Sequence, residues 1–316
     1  MIDKNVEEVL RRYDEIAGLI LDQKIDEFSD KMDEKPPEED DVTYEQYLHR
    51  VAMQETEEQS LLMEAEPQEA LGGLTMNEYF AKMSFEDLTE VLEFCATELD
   101  RGVPQSVVNA LVAIEDSEAV EAYARRIVTD SAWREEEMKD ENVLFEMDFQ
   151  KVKASLKILA GRHDASLIDD VLDRFMSYPA THSFVADSIA EYIESFPDEA
   201  PAALISRLEE HRDDGMEGPC EDLVVILTNI GKEKKSEEIY DALRMAFRCM
   251  TNKIYAVICF ADYGDDRAVP LLKNYINRHQ QDISRELFYE MMSAIQNLGG
   301  DIEDVSDPFG DFQKKS

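Results

Sequence analysis

Basic residues are scarce in this chain. Thirty-two Lys and Arg stand against 72 Asp and Glu, a formal net charge of −40. A surface of that sign opposes nonspecific attraction to nucleic acid phosphates and to anionic membranes. Long apolar runs are missing too, and no stretch approaches the ~18 residues that a membrane-spanning helix requires. The opening residues, Met1-Ile2-Asp3-Lys4-Asn5-Val6-Glu7-Glu8, are charged where a secretory leader is apolar. Cysteine is rare: Cys95, Cys220, Cys249 and Cys259, with no CxxC spacing. Cys95 and Cys259 sit in apolar runs and are expected as small buried thiols of a reducing compartment. These absences predict a cytoplasmic protein whose partner is neither nucleic acid nor membrane.

The signatures of common catalytic sites are absent as well. The chain has no GxxxxGK[ST], GxGxxG or GxSxG. Its histidines, His49, His163, His182, His211 and His279, form no HExxH and lie at no ligand spacing from a cysteine. Asp213-Asp214-Gly215 opens like a calcium loop, but the required ligands do not follow. Carboxylate pairs such as Asp40-Asp41 are too numerous to single out an acid and a base. No catalytic residue, cofactor or metal is therefore expected.

What the chain does have is helical periodicity. Ile2, Val6, Val9, Tyr13, Ile16 and Ile20 mark one long amphipathic helix over 2–32. Two prolines and six acids in residues 33–42 then read as a solvated linker. A second helix is expected from about 43 to 65, a short one over 75–83 with Thr75 as N-cap, and another from Ser84 to about Asp100. Ser84 can cap its first turn, and Gly102 suits a left-handed C-terminal cap. The aromatics Tyr44, Tyr47, Tyr79 and Phe80 fall at helical spacing and are expected in a core.

Beyond residue 100 a pattern recurs. One helix ends, a short acidic or polar turn follows, and a second amphipathic helix begins. The turns are Glu115-Asp116, His163-Asp164, Pro197-Asp198, Lys232-Glu233, Asp265-Asp266 and Gly300-Asp301. The first step is 48 residues and the later ones 33 to 35, which is the period of a helical solenoid. Helix pairs are expected near 104–114 with 117–129, 146–161 with 165–177, 181–195 with 199–212, 219–230 with 236–250, and 252–263 with 266–279. A last helix covers about 282–298. The long first step maps to an acidic insertion, 130–142, which holds the only tryptophan, Trp133. The chain thus divides into a helical region at 1–100, repeats at 101–300 and a tail at 301–316, expected extended or disordered beyond its first turn.

The stretch Gly264-Asp265-Asp266-Arg267-Ala268-Val269-Pro270-Leu271-Leu272-Lys273-Asn274-Tyr275-Ile276 resembles the turn and second helix of a HEAT-like repeat, in the short form of the phycobilisome-lyase HEAT-like group. Ile114 to Ala124 and His163 to Leu172 follow the same plan less closely. The resemblance covers about residues 100–300. It implies an all-α fold, a right-handed α-α superhelix of HEAT/armadillo-like type, with divergent N-terminal helices as an end cap. It is specific for architecture and weak for function. Two enzyme readings come with it, a DNA-repair glycosylase and a tetrapyrrole lyase. The scarcity of Lys and Arg opposes the first, and no distinctive catalytic set supports the second.

The leading expectation is a non-enzymatic scaffold or adaptor that binds a protein partner, one carrying a basic patch, on the repeat surface. The candidate contact residues form a row. Arg126, Arg174 and Arg207 recur at corresponding places in successive second helices, Arg244 is one place off, and Tyr275 takes the fifth position. Such a row either reads an acidic ligand or pairs with neighbouring acids of its own chain. Trp133 either staples its insertion to the core or marks a contact surface.

Overall fold

The computed structural model describes residues 2–29, 44–130, 143–176 and 183–311. Within them the protein is all-helical, with fifteen α-helices, one 3-10 turn at Glu69–Leu71 and one isolated antiparallel bridge between Gln68 and Leu74. The linker expected at 33–42, residues 131–142 of the expected 130–142 insertion with Trp133, and His182 lie outside the described residues, as do the side chains of Tyr44, Tyr47 and His49. The chain forms two compact units, Met1–Asp164 and Ala165–Ser316.

The first unit holds α1 (Lys4–Ser29), α2 (Tyr44–Glu64), α3 (Met76–Phe80), α4 (Phe85–Glu98), α5 (Gln105–Val112), α6 (Ser117–Asp130) and α7 (Val143–Gly161). Helices α1 and α2 run antiparallel. Lys24 meets Glu55 at 2.6 Å near one end, and the Tyr13 hydroxyl donates to Glu64 at 3.2 Å near the other. Val6, Leu10, Phe80, Leu88, Leu92, Leu111 and Leu156 are fully buried among these helices. Thr75 forms a capping box with Glu78, and the Ser84 hydroxyl accepts the Asp87 amide at 3.1 Å, so both expected N-caps are in place. Gly102 takes a left-handed φ of 80°, but α4 has already closed at Leu99 in an extended conformation. The glycine therefore turns the chain into α5 rather than ending α4.

Helix α5 is the centre of this unit and has an unusual arrangement at both ends. Pro104 precedes it and offers no side-chain acceptor. Glu64, at the end of α2, fills that role from 41 residues away: its carboxylate accepts the Gln105 amide at 3.1 Å and the Ser106 amide at 2.5 Å. At the other end the Arg162 guanidinium donates to the carbonyls of Val112 at 2.5 Å and Ile114 at 3.0 Å. An anion thus meets the positive end of the helix and a cation the negative end. Both satisfy backbone groups that a short helix leaves unpaired.

The second unit holds α8 (Ile168–Met176), α9 (Ser183–Glu194), α10 (Ala200–Glu210), α11 (Pro219–Glu233), α12 (Glu237–Cys249), α13 (Lys253–Tyr263), α14 (Ala268–Arg278) and α15 (Arg285–Asn297). Helices α9, α11, α13 and α15 pack side by side in one layer, and α8, α10 and α12 form a second layer. Tyr275 of α14 extends that second layer by touching Phe247 of α12 edge-on at 5.3 Å. Polar ties join successive pairs at about one period. Asn229 donates to Glu194 at 2.8 Å, Lys232 meets Asp262 at 2.9 Å, and Lys273 meets Asp304 at 2.6 Å. Gly231 allows a close approach of α11 and α13 within the first layer. A Cβ there would lie 2.6 Å from the ring of Tyr263, whose hydroxyl accepts the Ser236 amide and donates to the Ser236 carbonyl.

The acidic residues of the turns can cap the second helices, and they do so unevenly. Asp116 accepts the Ala119 amide at 3.2 Å, and Asp265 accepts the Arg267 amide at 3.0 Å. Asp164 instead holds Arg125 at 2.6 Å, and Asp198 pairs with Lys234. Ser236, not Glu233, caps α12. The tail, expected loose, is held on α15 as far as Asp311: Phe309 packs edge-on against Phe288 at 5.6 Å, and Asp311 accepts from Tyr289 at 2.5 Å. All four cysteines are free thiols, with Cys95, Cys220 and Cys259 buried.

Candidate functional site

The second helices carry the expected row of contact residues. Arg126, on α6, belongs to the first unit, where its guanidinium lies over the Tyr123 ring at 5.7 Å. Arg174, Arg207, Arg244 and Tyr275 belong to the second, on α8, α10, α12 and α14 respectively. Arg207 reaches back to α8, contacting both Asp169 and Asp173 at 2.8 Å. Its side chain is only 15% exposed while the two acids are largely solvated. The acids therefore hold it across the helix junction, and it is not presented outward. Tyr275 stacks on His279 at 4.2 Å as well as touching Phe247.

Arg244 behaves differently because of its one-residue offset. It pairs with Asp241 on its own helix at 2.8 Å, three residues back, so it does not bridge to α10. The junctions of the second layer consequently differ. Between α8 and α10 the gap is closed by Arg207. Between α12 and α14 it is closed by the Phe247–Tyr275 ring contact. Between α10 and α12, among the described residues, no ion pair or ring contact joins the helices beyond their first turns, and a groove of about 660 Å³ lies along the junction.

Apolar and small side chains form the floor of that groove: Pro201, Ala202 and Ile205 from α10, Ala242 and Met245 from α12. Four carboxylates rim it, Asp198 and Glu209 on one wall and Glu238 and Asp241 on the other. No Lys or Arg lines it. Asp198 is paired with Lys234 and Asp241 with Arg244. The remaining two, Glu209 and Glu238, are exposed.

Two other clefts, of about 570 Å³ and 640 Å³, are lined by ion pairs among the chain's own charges. In the first unit Arg11 lies over the Phe94 ring at 5.1 Å and bridges Glu7 at 2.9 Å and Glu98 at 3.4 Å. In the second, Arg267 covers the Tyr240 ring at 3.9 Å and joins Asp265 and Glu237. That guanidinium holds the Asp265 carboxyl below its ordinary range. Among the described residues no three His, Cys, Asp or Glu side chains are grouped as metal ligands.

Burial shapes the titration of several acids in the second unit. Asp222 is pushed up, first by burial and then by Asp187. Glu194 is pushed up by burial, against the hydrogen bond from Asn229. These groups face the first layer rather than the α10/α12 groove.

The chain matches no family model, no curated protein and no solved structure. Among the described residues, no helix is long and apolar enough to cross a membrane.

Proposed function

We propose that this protein is a HEAT-like helical-repeat scaffold of the cytoplasm that binds a protein partner on the second-helix layer of its C-terminal unit. The observation that carries this reading is the α10/α12 junction. It is the one junction of the layer that neither an arginine bridge nor a ring contact closes, and it combines an apolar floor with an acidic rim. Two parallel layers of paired helices, tied one period at a time, support the repeat assignment and give a stable surface on which to dock. Binding energy at such a surface comes from apolar side chains entering the groove, while the charge of −40 steers a basic partner toward it.

The test is site-specific photocrosslinking. A photoreactive phenylalanine analogue is placed at Ser206, on the groove, and at Thr129, on α6 of the other unit, in the full chain expressed in its own cells. The expected result is an adduct of defined mass from position 206 that fades as salt rises, since surface electrostatics are screened within about 8 Å at physiological ionic strength. Adducts from 129 alone, or a 206 adduct indifferent to salt, would count against the reading.

A further inference from the structure

We infer that the occupant of the α10/α12 groove is a basic amphipathic helix of the partner, with two cations about two turns apart on opposite flanks of an apolar ridge. This deepens the scaffold reading and rests on it.

Three features of the groove specify the occupant. The first is its backbone chemistry. Both walls are α-helices whose N–H and C=O groups are already paired along the helix. An extended peptide laid between them would find no ladder to join, and its own amides would lose water without gaining partners. A helix brings its backbone hydrogen bonds with it and needs only side-chain contacts.

The second is shape. Pro201, Ile205 and Glu209 stand four residues apart along α10, and Glu238, Ala242 and Met245 form the facing row on α12. Rows at that spacing bound a groove into which the i, i+4 ridge of a third helix packs. The apolar members, Ile205 and Met245, are half-buried, so a Leu or Met of the occupant would complete their burial.

The third is the placement of charge. The Lys234–Asp198 pair sets the start of α12 beside the start of α10, so the two helices run in the same direction. Glu238 therefore lies near one end of the groove and Glu209 near the other, on opposite walls. Seven residues of helix separate their levels, about 10 Å at 1.5 Å per residue. Asp198 and Asp241 are neutralised by the chain's own Lys234 and Arg244. Glu209 and Glu238 are left to receive a Lys or Arg each. A second copy of this chain is a poor occupant, because its surface repeats the same negative charge.

The test uses synthetic helix-forming peptides as probes and the full chain as receptor. The first peptide carries a Leu ridge with two Arg seven positions apart on its flanks. The second has the same composition in an order that destroys the ridge. The third replaces both Arg by Glu. Fluorescence polarisation at about 0.15 M salt reads affinity, and hydrogen exchange reads location. The expected result is 1:1 binding of the first peptide, about tenfold tighter than the second, with no binding of the third. Protection is expected in α10 and α12. Glu209→Gln with Glu238→Gln, both exposed and so neutral for folding, should weaken the first peptide about tenfold while leaving the second unchanged. Equal affinity for the first two peptides would overturn the inference, since charge alone would then explain the attraction. An unchanged double variant would overturn it as well. Protection confined to other helices would remove the groove but leave the scaffold reading standing, and the crosslinking experiment decides that reading separately.

Discussion

Glu64→Ala is expected to destabilise the N-terminal unit more than any surface substitution could. Glu64 is 1% exposed and serves three donors at once: the Gln105 amide, the Ser106 amide and the Tyr13 hydroxyl. A buried polar group left without a partner costs about 1–3 kcal/mol. The alanine strands two amides at the start of α5 and removes the anion from its positive end, which sums to a loss of about 3–5 kcal/mol. Glu64→Gln keeps the shape but turns an NH2 toward one of the two amides, and is expected to cost about half as much. Tyr13→Phe removes one of the three donors to Glu64 and should cost about 1 kcal/mol. That tyrosine titrates far above its ordinary value because burial, and then the Glu64 charge, disfavour the phenolate, so it remains a donor throughout. Urea unfolding followed by circular dichroism gives the energies, and hydrogen exchange of residues 105–112 locates them. The two substitutions share a contact and should be non-additive. A Glu64→Ala loss below about 0.5 kcal/mol, within the range of an ordinary surface change, with unchanged exchange in α5, would refute this account of the helix.

Further outcomes follow from other positions. Gly231→Ala places a methyl 2.6 Å from a Tyr263 ring that is held at its hydroxyl, so α11 and α13 must separate; thermal unfolding should show a loss of about 1–3 kcal/mol despite alanine's better helix propensity. His163 ends α7 with a left-handed φ of 58°, a conformation that glycine adopts without strain, so His163→Gly should stabilise the first unit by about 1 kcal/mol in a urea titration. Asp222 has a folded pKa raised above the ordinary 3.8, by burial first. The native state then binds more protons than the unfolded one between the two values. Stability falls as pH rises through that window, and neutral pH carries the full cost. Asp222→Asn should therefore raise Tm at neutral pH, with the gain disappearing below about pH 4; an equal gain at both pH values would argue against the burial account.

Much of the fold was legible because helices announce themselves through period and caps. Thr75 and Ser84 were readable as N-caps, and every expected helix has a counterpart in the structure. Long-range partnerships were not legible. Nothing near Pro104 indicates that a glutamate 40 residues earlier caps α5, because a trans cap leaves no local pattern. The arginine row allowed an acidic ligand or pairing with acids of its own chain, and Arg207 and Arg244 make contacts of the second kind, each with its own partners. The groove had a sequence signal after all, namely the one-place offset of Arg244. A shift of one residue rotates a side chain about 100° around its helix, enough to turn this arginine from the neighbouring helix to Asp241 on its own.

The polar ties of the C-terminal unit also bear on how it comes apart. Those joining successive pairs reach back 27 to 36 residues, from Ser236–Tyr263 to Lys234–Asp198. A unit held by contacts of such short sequence separation has little loop closure to complete before each contact forms, which favours rapid folding pair by pair. The same locality lets α15 and the tail detach at the cost of their own contacts alone. Pulled from its C-terminus, the unit should yield in a series of small steps, one helix pair at a time, and not in a single rupture.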